Sequence, residues 1–181
     1  MRICGGFYRS RIIEMVNSDE TRETTDKVRM AIFNLIGQYI SGVSLDLFGG
    51  SGAMGLESIS RGIEKCYIND IGTTQIKTIN KNIKTLKCDD KVIVSQSDYK
   101  EFLIKNKDKK FDYIFLDPPY ALKVCPDIIQ FIDENDMLNQ YGMIVVEYPV
   151  EDDKMYPNVI GKYQKIKDKK YGIRKIAVYE Y

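Results

Sequence analysis

Short apolar runs alternate with stretches of helical periodicity through residues 43–149 of the chain. Each apolar run has the length of a buried strand, and the stretch after it places apolar residues along one helix face. The predicted strands are Val43–Phe48, Lys65–Asn69, Val92–Ser95, Tyr113–Leu116 and Met143–Tyr148. The predicted helices between them are Ser51–Arg61, Thr74–Leu86, Tyr99–Asn106 and Pro126–Glu134. This alternation predicts an α/β fold with a mostly parallel sheet and helices on both faces.

The segments on either side of this region have different patterns. Before it, Thr24–Asp26 can cap a helix whose apolar residues recur from Val28 to Ile40 at i, i+3, i+4 and i+7, with Lys27 and Arg29 off that apolar face. After it, residues 163–169 and 173–181 are two extended runs with a glycine turn between them. They predict an antiparallel hairpin at the edge of the sheet, which brings the predicted strand count to seven.

Length and composition exclude several classes of protein. A chain of 181 residues fits a single domain spanning residues 1–181. Four scattered cysteines and no histidine argue against a metal site and against a histidine-based catalytic triad. No apolar run approaches the 18 residues of a membrane span, so we expect a cytoplasmic protein with free thiols.

The formal net charge is +1, but both ends of the chain are basic. Residues 1–23 form a basic extension in which Phe7–Arg11 interleaves aromatic rings with cations, a mixture that can stack on bases and neutralise phosphates. Residues 160–181 carry seven lysines and arginines against two acids. The pattern predicts a polyanionic partner. Two alternatives stay open, namely a hairpin packed on the domain edge for the first segment and a solvated lysine-rich hairpin for the second.

A glycine-rich turn follows the first predicted strand. The spacing Gly50-x-Gly52-x-x-Gly55, with Asp70 about 20 residues further on, fits the fingerprint of a nucleotide-like cofactor site. Glycine lets the backbone approach a ligand closely, and the N–H groups of the turn favour polar or negative ligand atoms. Several cofactors use such a turn, and a tight turn with no ligand is the other interpretation.

The sequence Asp117-Pro118-Pro119-Tyr120 follows another buried strand. Ligands of open α/β sheets bind beyond the carboxyl ends of the strands, so we expect Asp117 and the glycine turn to face the same crevice. A hydride-transfer enzyme has no evident use for this sequence there. A methyltransferase that acts on an exocyclic amine does.

Together these motifs resemble those of the S-adenosylmethionine-dependent, Rossmann-like class I methyltransferases. The residues that carry the resemblance are Asp46–Gly52, Asp70, Ser97–Asp98 and Asp117–Tyr120. Two N-terminal stretches, Arg2–Arg11 and Arg22–Asn34, are similar to the RsmD family, whose members methylate N2 of a guanine in 16S ribosomal RNA. The resemblance covers nearly the whole chain. The sequence departs from the family pattern at Glu23, where proline is usual, and at Lys27, where arginine is frequent.

The resemblance implies that S-adenosylmethionine is the cofactor. Asp46 is expected to accept from its ammonium group, Asp70 from both ribose hydroxyls and Asp98 from the adenine amine, while Ile71 and Tyr99 flank the ring. The full implied set of cofactor residues is Asp46, Phe48, Gly49, Gly50, Ser51, Gly52, Asp70, Ile71, Ser97, Asp98 and Tyr99.

The implied catalytic residues are Asp117, Pro118, Pro119 and Tyr120. The lone pair of an exocyclic amine is delocalised into the base, which makes the amine a poor nucleophile. The carboxylate of Asp117 and the carbonyl of Pro118 can each accept one N–H and so direct that lone pair at the methyl carbon. The prolines fix φ and have no N–H of their own, and Tyr120 can stack on the extracted base.

The resemblance also implies an RNA surface, made of Arg2, Tyr8, Arg9, Arg11, Arg22, Thr25, Lys27 and Arg29. The expected partner is 16S ribosomal RNA or an assembling small subunit, and the expected oligomeric state is a monomer that needs neither a metal nor a membrane. Three alternatives remain open. They are a methyltransferase acting on adenine N6 or another nucleic-acid amine, a nicotinamide oxidoreductase, and a non-catalytic RNA-binding protein.

Overall fold

The structure is a computed structural model that describes residues 1–16 and 25–181. Its strands are β1 (Val43–Asp46), β2 (Lys65–Asp70), β3 (Val92–Gln96), β4 (Phe111–Leu116), β5 (Leu138–Pro149), β6 (Val159–Ile160), β7 (Tyr163–Tyr171) and β8 (Arg174–Glu180). Its helices are α1 (Asp26–Ile36), α2 (Ala53–Ser60), α3 (Thr73–Leu86), α4 (Tyr99–Lys105) and α5 (Cys125–Glu134). The predicted α/β fold is confirmed, and each predicted strand and helix of residues 43–149 is present. Most ends shift by one or two residues, but β5 begins five residues earlier than predicted, at Leu138.

The strands form one sheet in the order β3-β2-β1-β4-β5-β8-β7-β6. Neighbouring strands from β3 to β5 are parallel, and β8, β7 and β6 continue the sheet with antiparallel pairs. The chain winds outward from β1 to β3 and then returns to β4 on the other side of β1. This reversal opens a crevice beyond the carboxyl ends of β1 and β4, where ligands of such sheets bind.

Two apolar layers cover the sheet because side chains alternate between its faces. Phe115 and Val145 point to the face covered by α1, α2 and α3. Ile114 and Val146, their neighbours in sequence, point to the opposite face, which α4 and α5 cover. Both faces of β4 and β5 are therefore buried, which explains why these strands were recognisable as continuous apolar runs.

The described part of the N-terminal extension packs against this core. Ile3, Tyr8 and Ile13 are buried, and an antiparallel bridge joins Arg2 to Ile12. The buried carboxylate of Glu57 in α2 accepts hydrogen bonds from the backbone nitrogens of Cys4 at 2.7 Å and Gly5 at 2.8 Å. Residues 1–16 thus form a hairpin-like segment held to α2, as the packed alternative predicted.

The predicted count of seven strands is wrong, because the sheet of the described residues has eight. The additional strand, β6, has two residues, too few to show a period of two in the sequence. The C-terminal hairpin also differs from its predicted edge position. Its second strand, β8, lies inside the sheet between β5 and β7, and β6 forms the edge beyond β7. The apolar residues Ile176–Tyr179 of β8 are buried as a result.

Candidate active site

The crevice at the ends of β1, β4 and β5 contains a cavity with an acidic wall. Asp46, Asp117 and Glu147 belong to this wall, and they come from the ends of three neighbouring strands. The cavity is lined by Met1, Ile32, Asp46, Phe48, Gly49, Gly50, Ser51, Ala53, Met54, Phe115, Leu116, Asp117, Val145 and Glu147. The predicted meeting of the glycine turn with the Asp117 loop is therefore observed.

The turn between β1 and α2 has a conformation that requires glycine. Gly50 has φ +55°, and a Cβ built on it would have no atom within 4 Å, so its open side is available to a ligand. Gly49 lies against the sheet, where a Cβ would come 2.5 Å from Cγ2 of Ile68. Its nitrogen donates to the carbonyl of Asn69 at 2.8 Å. The turn is thus packed against β2 on one side and open on the other.

Asp70 fixes this turn from the end of β2. Its Oδ2 accepts from the backbone nitrogen of Gly50 at 2.9 Å, and its Oδ1 accepts from that of Gly72 at 2.8 Å. A carboxylate has about four lone-pair sites, so each oxygen can still accept a ligand hydroxyl. Asp70 is half-buried, which suits a group that holds the turn and also meets a ligand.

Asn69 is a buried residue of the site that sequence reasoning missed. Its Nδ2 donates to the carbonyls of Leu47 at 3.3 Å and Ser97 at 3.1 Å, and its Oδ1 accepts from the Ser97 hydroxyl at 2.9 Å. One amide thus joins the carboxyl ends of β1, β2 and β3. The only sequence signal was a polar residue in an apolar strand directly before Asp70.

The other predicted cofactor residues surround the same strand ends. The ring of Phe48 packs against that of Tyr99 with centroids 5.6 Å apart, and Ile71 is exposed next to Asp70. Asp98 caps α4 by accepting from the nitrogen of Lys100 at 2.8 Å, and Ser51 is buried at the start of the α2 turn. Flat apolar surface and acceptor groups are therefore close together, as an adenine ring requires.

Asp46 is a buried carboxylate at the end of β1. It accepts from the backbone nitrogen of Gly55 at 2.9 Å. Burial raises the pKa of Asp46 to about 7, the Gly55 hydrogen bond opposes this shift, and the nearby Asp70 charge adds to it. Asp46 therefore changes charge near neutral pH, and a cation bound in the cavity would favour its ionised form.

The Asp117–Tyr120 loop leaves β4 towards the same cavity. Pro118 is buried, Pro119 is exposed, and Tyr120 begins a short 3₁₀ helix, Tyr120–Leu122. The hydroxyl of Tyr120 donates to Oε1 of Glu147 at 3.3 Å. Burial, and next the Glu147 charge, raise the pKa of Tyr120 above its usual range. The phenol therefore remains a donor and ties the loop to β5.

Arg174 completes this contact from the start of β8. Its Nη1 donates to the same Oε1 of Glu147, and its guanidinium lies 5.7 Å from the centre of the Tyr120 ring. Both Glu147 and Arg174 are buried. Sequence reasoning missed Glu147 and counted Arg174 among the C-terminal cations, because the contact joins residues that only the return of the hairpin brings together.

The predicted RNA residues differ in their exposure. Arg2, Arg9, Arg11, Thr25 and Lys27 are exposed, Tyr8 is buried, and Arg22 lies outside the described residues. Thr25 also caps α1, as predicted, by accepting from the nitrogen of Val28 at 3.4 Å.

Arg29, a predicted RNA contact off the apolar stripe of α1, is buried. Its side chain is 0% exposed and pairs with Glu57 at 3.3 Å and Asp26 at 2.8 Å. The carboxylate of Glu57 also accepts from Arg61 at 2.8 Å. Two guanidinium groups thus share one buried carboxylate, which holds the N-terminal segment in place and removes Arg29 from the surface.

Part of the C-terminal basic cluster is paired with acids, namely Asp168 of β7 itself and four acids from elsewhere in the chain. The ion pairs are Lys162 with Asp133 and Asp136, Lys165 with Asp168, Arg174 with Glu147, and Lys175 with Asp153 and Asp168. Lys167, Lys169 and Lys170 are exposed on β7. The excess of positive charge in this segment is therefore smaller in the fold than in the sequence.

Residues 1–16 and 25–181 contain no group of three or more histidine, cysteine, aspartate or glutamate side chains placed to hold a metal ion. Within the same ranges, no helix is long and apolar enough to cross a membrane.

Comparison with known proteins places these features in a family. The family described as conserved hypothetical protein 95 matches residues 1–180. YlbH of Bacillus subtilis is 37% identical over 99% of this chain and 98% of its own length. Ribosomal RNA small subunit methyltransferase D of Haemophilus influenzae is 30% identical over 99% of this chain and 93% of its own length.

Solved structures agree with this result. The structure of yhhF from Escherichia coli is 29% identical, covers 99% of this chain and 96% of its own, and has a TM-score of 0.84. A conserved hypothetical protein from Streptococcus pyogenes is 33% identical, covers 84% of this chain and 94% of its own, and has a TM-score of 0.78. The chain therefore belongs to the conserved hypothetical protein 95 family, the RsmD family that its motifs resemble.

Proposed function

We propose that this protein is an S-adenosylmethionine-dependent methyltransferase that modifies the exocyclic N2 amine of a guanine in 16S ribosomal RNA. One observation carries the proposal. The glycine turn braced by Asp70 and the loop that begins at Asp117 meet in a single cavity at the ends of β1 and β4. The family membership and the name of the Haemophilus influenzae relative support both the reaction and the RNA substrate.

The residues present fit the cofactor. The open side of Gly50 leaves room for a ligand against the backbone, and Asp70 has acceptor capacity for the two ribose hydroxyls. Asp46 lines the cavity and suits an ammonium group, while Asp98 and the rings of Phe48 and Tyr99 suit the adenine. When bound, the cofactor supplies an electrophilic methyl group on a sulfonium.

Asp117 and the carbonyl of Pro118 act on the acceptor amine. Each accepts one N–H of the guanine N2 amine, which draws the nitrogen lone pair out of conjugation and towards the methyl carbon. The bound cofactor would supply the methyl group to N2, and the Asp117 carboxylate, which already accepts one N–H of the amine, would take the proton that N2 loses. Such pre-organised acceptors stabilise the charge that develops on N2 in the transition state. Tyr120, fixed by Glu147, supplies the ring against which the base stacks.

The exposed cations are the candidate RNA contacts. Arg2, Arg9 and Arg11 belong to the N-terminal segment, and Lys27 lies in the first turn of α1. Met1 of the same segment lines the cavity. The segment that carries these cations therefore reaches the cavity, and cations on it can position RNA through its phosphates. This arrangement supports a role for the segment in placing RNA over the cavity.

The test is to map N2-methylguanine in 16S ribosomal RNA from cells with and without this gene. We expect one guanine to lose its methyl group in the deletion strain and to regain it when the wild-type gene is restored. The purified protein should then transfer a labelled methyl group to that guanine in RNA or small subunits from the deletion strain. Methylation of an adenine instead would identify adenine N6, and not guanine N2, as the target amine. An unchanged 16S methylation map would overturn the proposal.

A further inference from the structure

Another carboxylate of the cavity, that of Glu147, lies beside Asp117, and its one role in the proposed methyl transfer is to fix Tyr120. Leu116 and Val146 are partners in the register of β4 and β5, so Asp117 and Glu147 follow as neighbours on adjacent parallel strands. Neighbouring strands lie about 4.8 Å apart, and side chains at the same register position lie side by side. Both residues line the same cavity. A guanine that presents its N2 amine to Asp117 can therefore present N1, one of the two ring atoms beside that amine, towards Glu147.

Glu147 is held in position for a directional contact. Its Oε1 accepts from the hydroxyl of Tyr120 at 3.3 Å and from Nη1 of Arg174. Glu147 is 3% exposed, and burying a carboxylate is unfavourable unless it is paired and hydrogen-bonded. A carboxylate has about four lone-pair sites, so these two bonds do not exhaust its capacity to accept. It has no proton to donate when ionised.

The purine bases differ at the atom next to the amine. Guanine carries a donor, N1–H, beside its N2 amine. In 2-aminopurine, which has the same exocyclic amine, and in adenine, N1 is an unprotonated acceptor. A carboxylate accepts a hydrogen bond from N1–H of guanine, whereas it repels the lone pair on N1 of 2-aminopurine or adenine. We propose that Glu147 determines base specificity by accepting a hydrogen bond from N1–H of the target guanine while Asp117 accepts from N2.

This inference rests on the proposed function, and it gives Glu147 a contact with the substrate in addition to its contacts with Tyr120 and Arg174. If Glu147 served only to brace the Asp117–Tyr120 loop, its loss would slow methyl transfer to every amine substrate by the same factor. If it reads N1, its loss changes the ratio between substrates. The ratio therefore separates the two roles.

The experiment measures single-turnover methyl transfer at saturating cofactor to 16S RNA that carries either guanine or 2-aminopurine at the mapped target. We expect the wild type to prefer guanine by about 10²-fold or more, because a site built to accept an N–H discriminates strongly against an analogue that lacks it. Glu147→Gln should narrow this preference to about tenfold or less, since an amide can accept from guanine N1–H and can also donate to the N1 of 2-aminopurine.

Arg174→Gln is the matched control. It removes the ion pair from Glu147 but keeps the carboxylate, so it should slow transfer to both substrates while guanine stays preferred. Cofactor binding, measured by calorimetry, should be unchanged in both variants and shows that they are folded. A Glu147→Gln variant that slows both substrates by the same factor and keeps the wild-type ratio would overturn the inference.

The wild-type enzyme provides a test that needs no variant. If it methylates 2-aminopurine as fast as guanine, N1 is not read and the inference is overturned, whether or not Glu147→Gln folds. Failure of the proposed function has a different result, because the wild type would then transfer no methyl group to any 16S guanine.

Discussion

The Oδ2 atom of Asp70 lies 2.9 Å from the backbone nitrogen of Gly50, and this hydrogen bond joins the end of β2 to the turn after β1. The same carboxylate holds the nitrogen of Gly72 at 2.8 Å. Asp70 therefore shapes the turn before any ligand is present. Its proposed contact with the ribose adds to a role in the fold of the site.

Asp70→Ala should weaken binding of S-adenosylmethionine by about 1–3 kcal/mol, because it removes the proposed ribose acceptor and releases the amide of Gly50. Calorimetric titration measures the change. Asp108→Ala, which removes an exposed carboxylate between α4 and β4, is the control and should bind as the wild type does. An unchanged dissociation constant in folded Asp70→Ala would remove Asp70 from the cofactor site.

Asp46 should make stability depend on pH. Its pKa rises from 3.8 to about 7 on folding because the carboxyl is buried. Between these values the folded state binds the proton more tightly than the unfolded state does, so this group lowers stability as pH rises. The difference in unfolding free energy between Asp46→Asn and wild type should therefore grow in favour of the variant by about 2–3 kcal/mol as the pH rises from about 5 to about 7.5.

Urea unfolding of wild type and Asp46→Asn at several pH values measures this difference. Asp108→Asn, which replaces an exposed carboxylate outside the cavity, serves as the control. If the difference between Asp46→Asn and wild type did not change with pH, the buried carboxyl would not titrate in this range.

Glu57→Gln should lower the free energy of unfolding by about 3 kcal/mol, because it removes the charge that two buried guanidinium groups share. The partners are Arg29 at 3.3 Å and Arg61 at 2.8 Å. Chemical denaturation measures the loss, with the exposed Glu64→Gln as the control. A loss below about 1 kcal/mol would show that this cluster does not hold the N-terminal segment.

Arg9 and Arg11 should contribute to RNA affinity through phosphate contacts. Each neutralised phosphate of single-stranded RNA contributes about −0.7 to the slope of log affinity against log salt. Arg9→Ala with Arg11→Ala should therefore flatten that slope by about 1.4 in filter-binding assays. Lys175→Ala is the control, since Lys175 already pairs with Asp153 at 2.6 Å and Asp168 at 2.8 Å. An unchanged slope in the arginine variant would limit the N-terminal segment to a structural role.

The strand and helix order, the glycine turn and the position of Asp117 were predictable because each depends on local periodicity or on a short motif. The roles of Asn69, Glu147 and Arg174 were not. Asn69 contacts the ends of two other strands, and Arg174 reaches Glu147 only because β8 folds back beside β5. Arg29 is buried because α2 places Glu57 opposite it. Such pairings depend on the tertiary arrangement, which residue spacing along the chain does not determine. That residues 1–181 form a single domain stays a prediction.

Single-turnover methyl transfer by Asp117→Ala tests the central claim most directly. The substrate is the 16S target guanine, with saturating cofactor and with the exposed Asp108→Ala as the control. We predict a rate lower by about 10²–10³-fold, the usual loss when one pre-organised electrostatic group is removed. Cofactor affinity should stay near the wild-type value, because the proposed cofactor contacts lie at the other strand ends. A wild-type rate in folded Asp117→Ala would contradict the assignment of Asp117 to the amine.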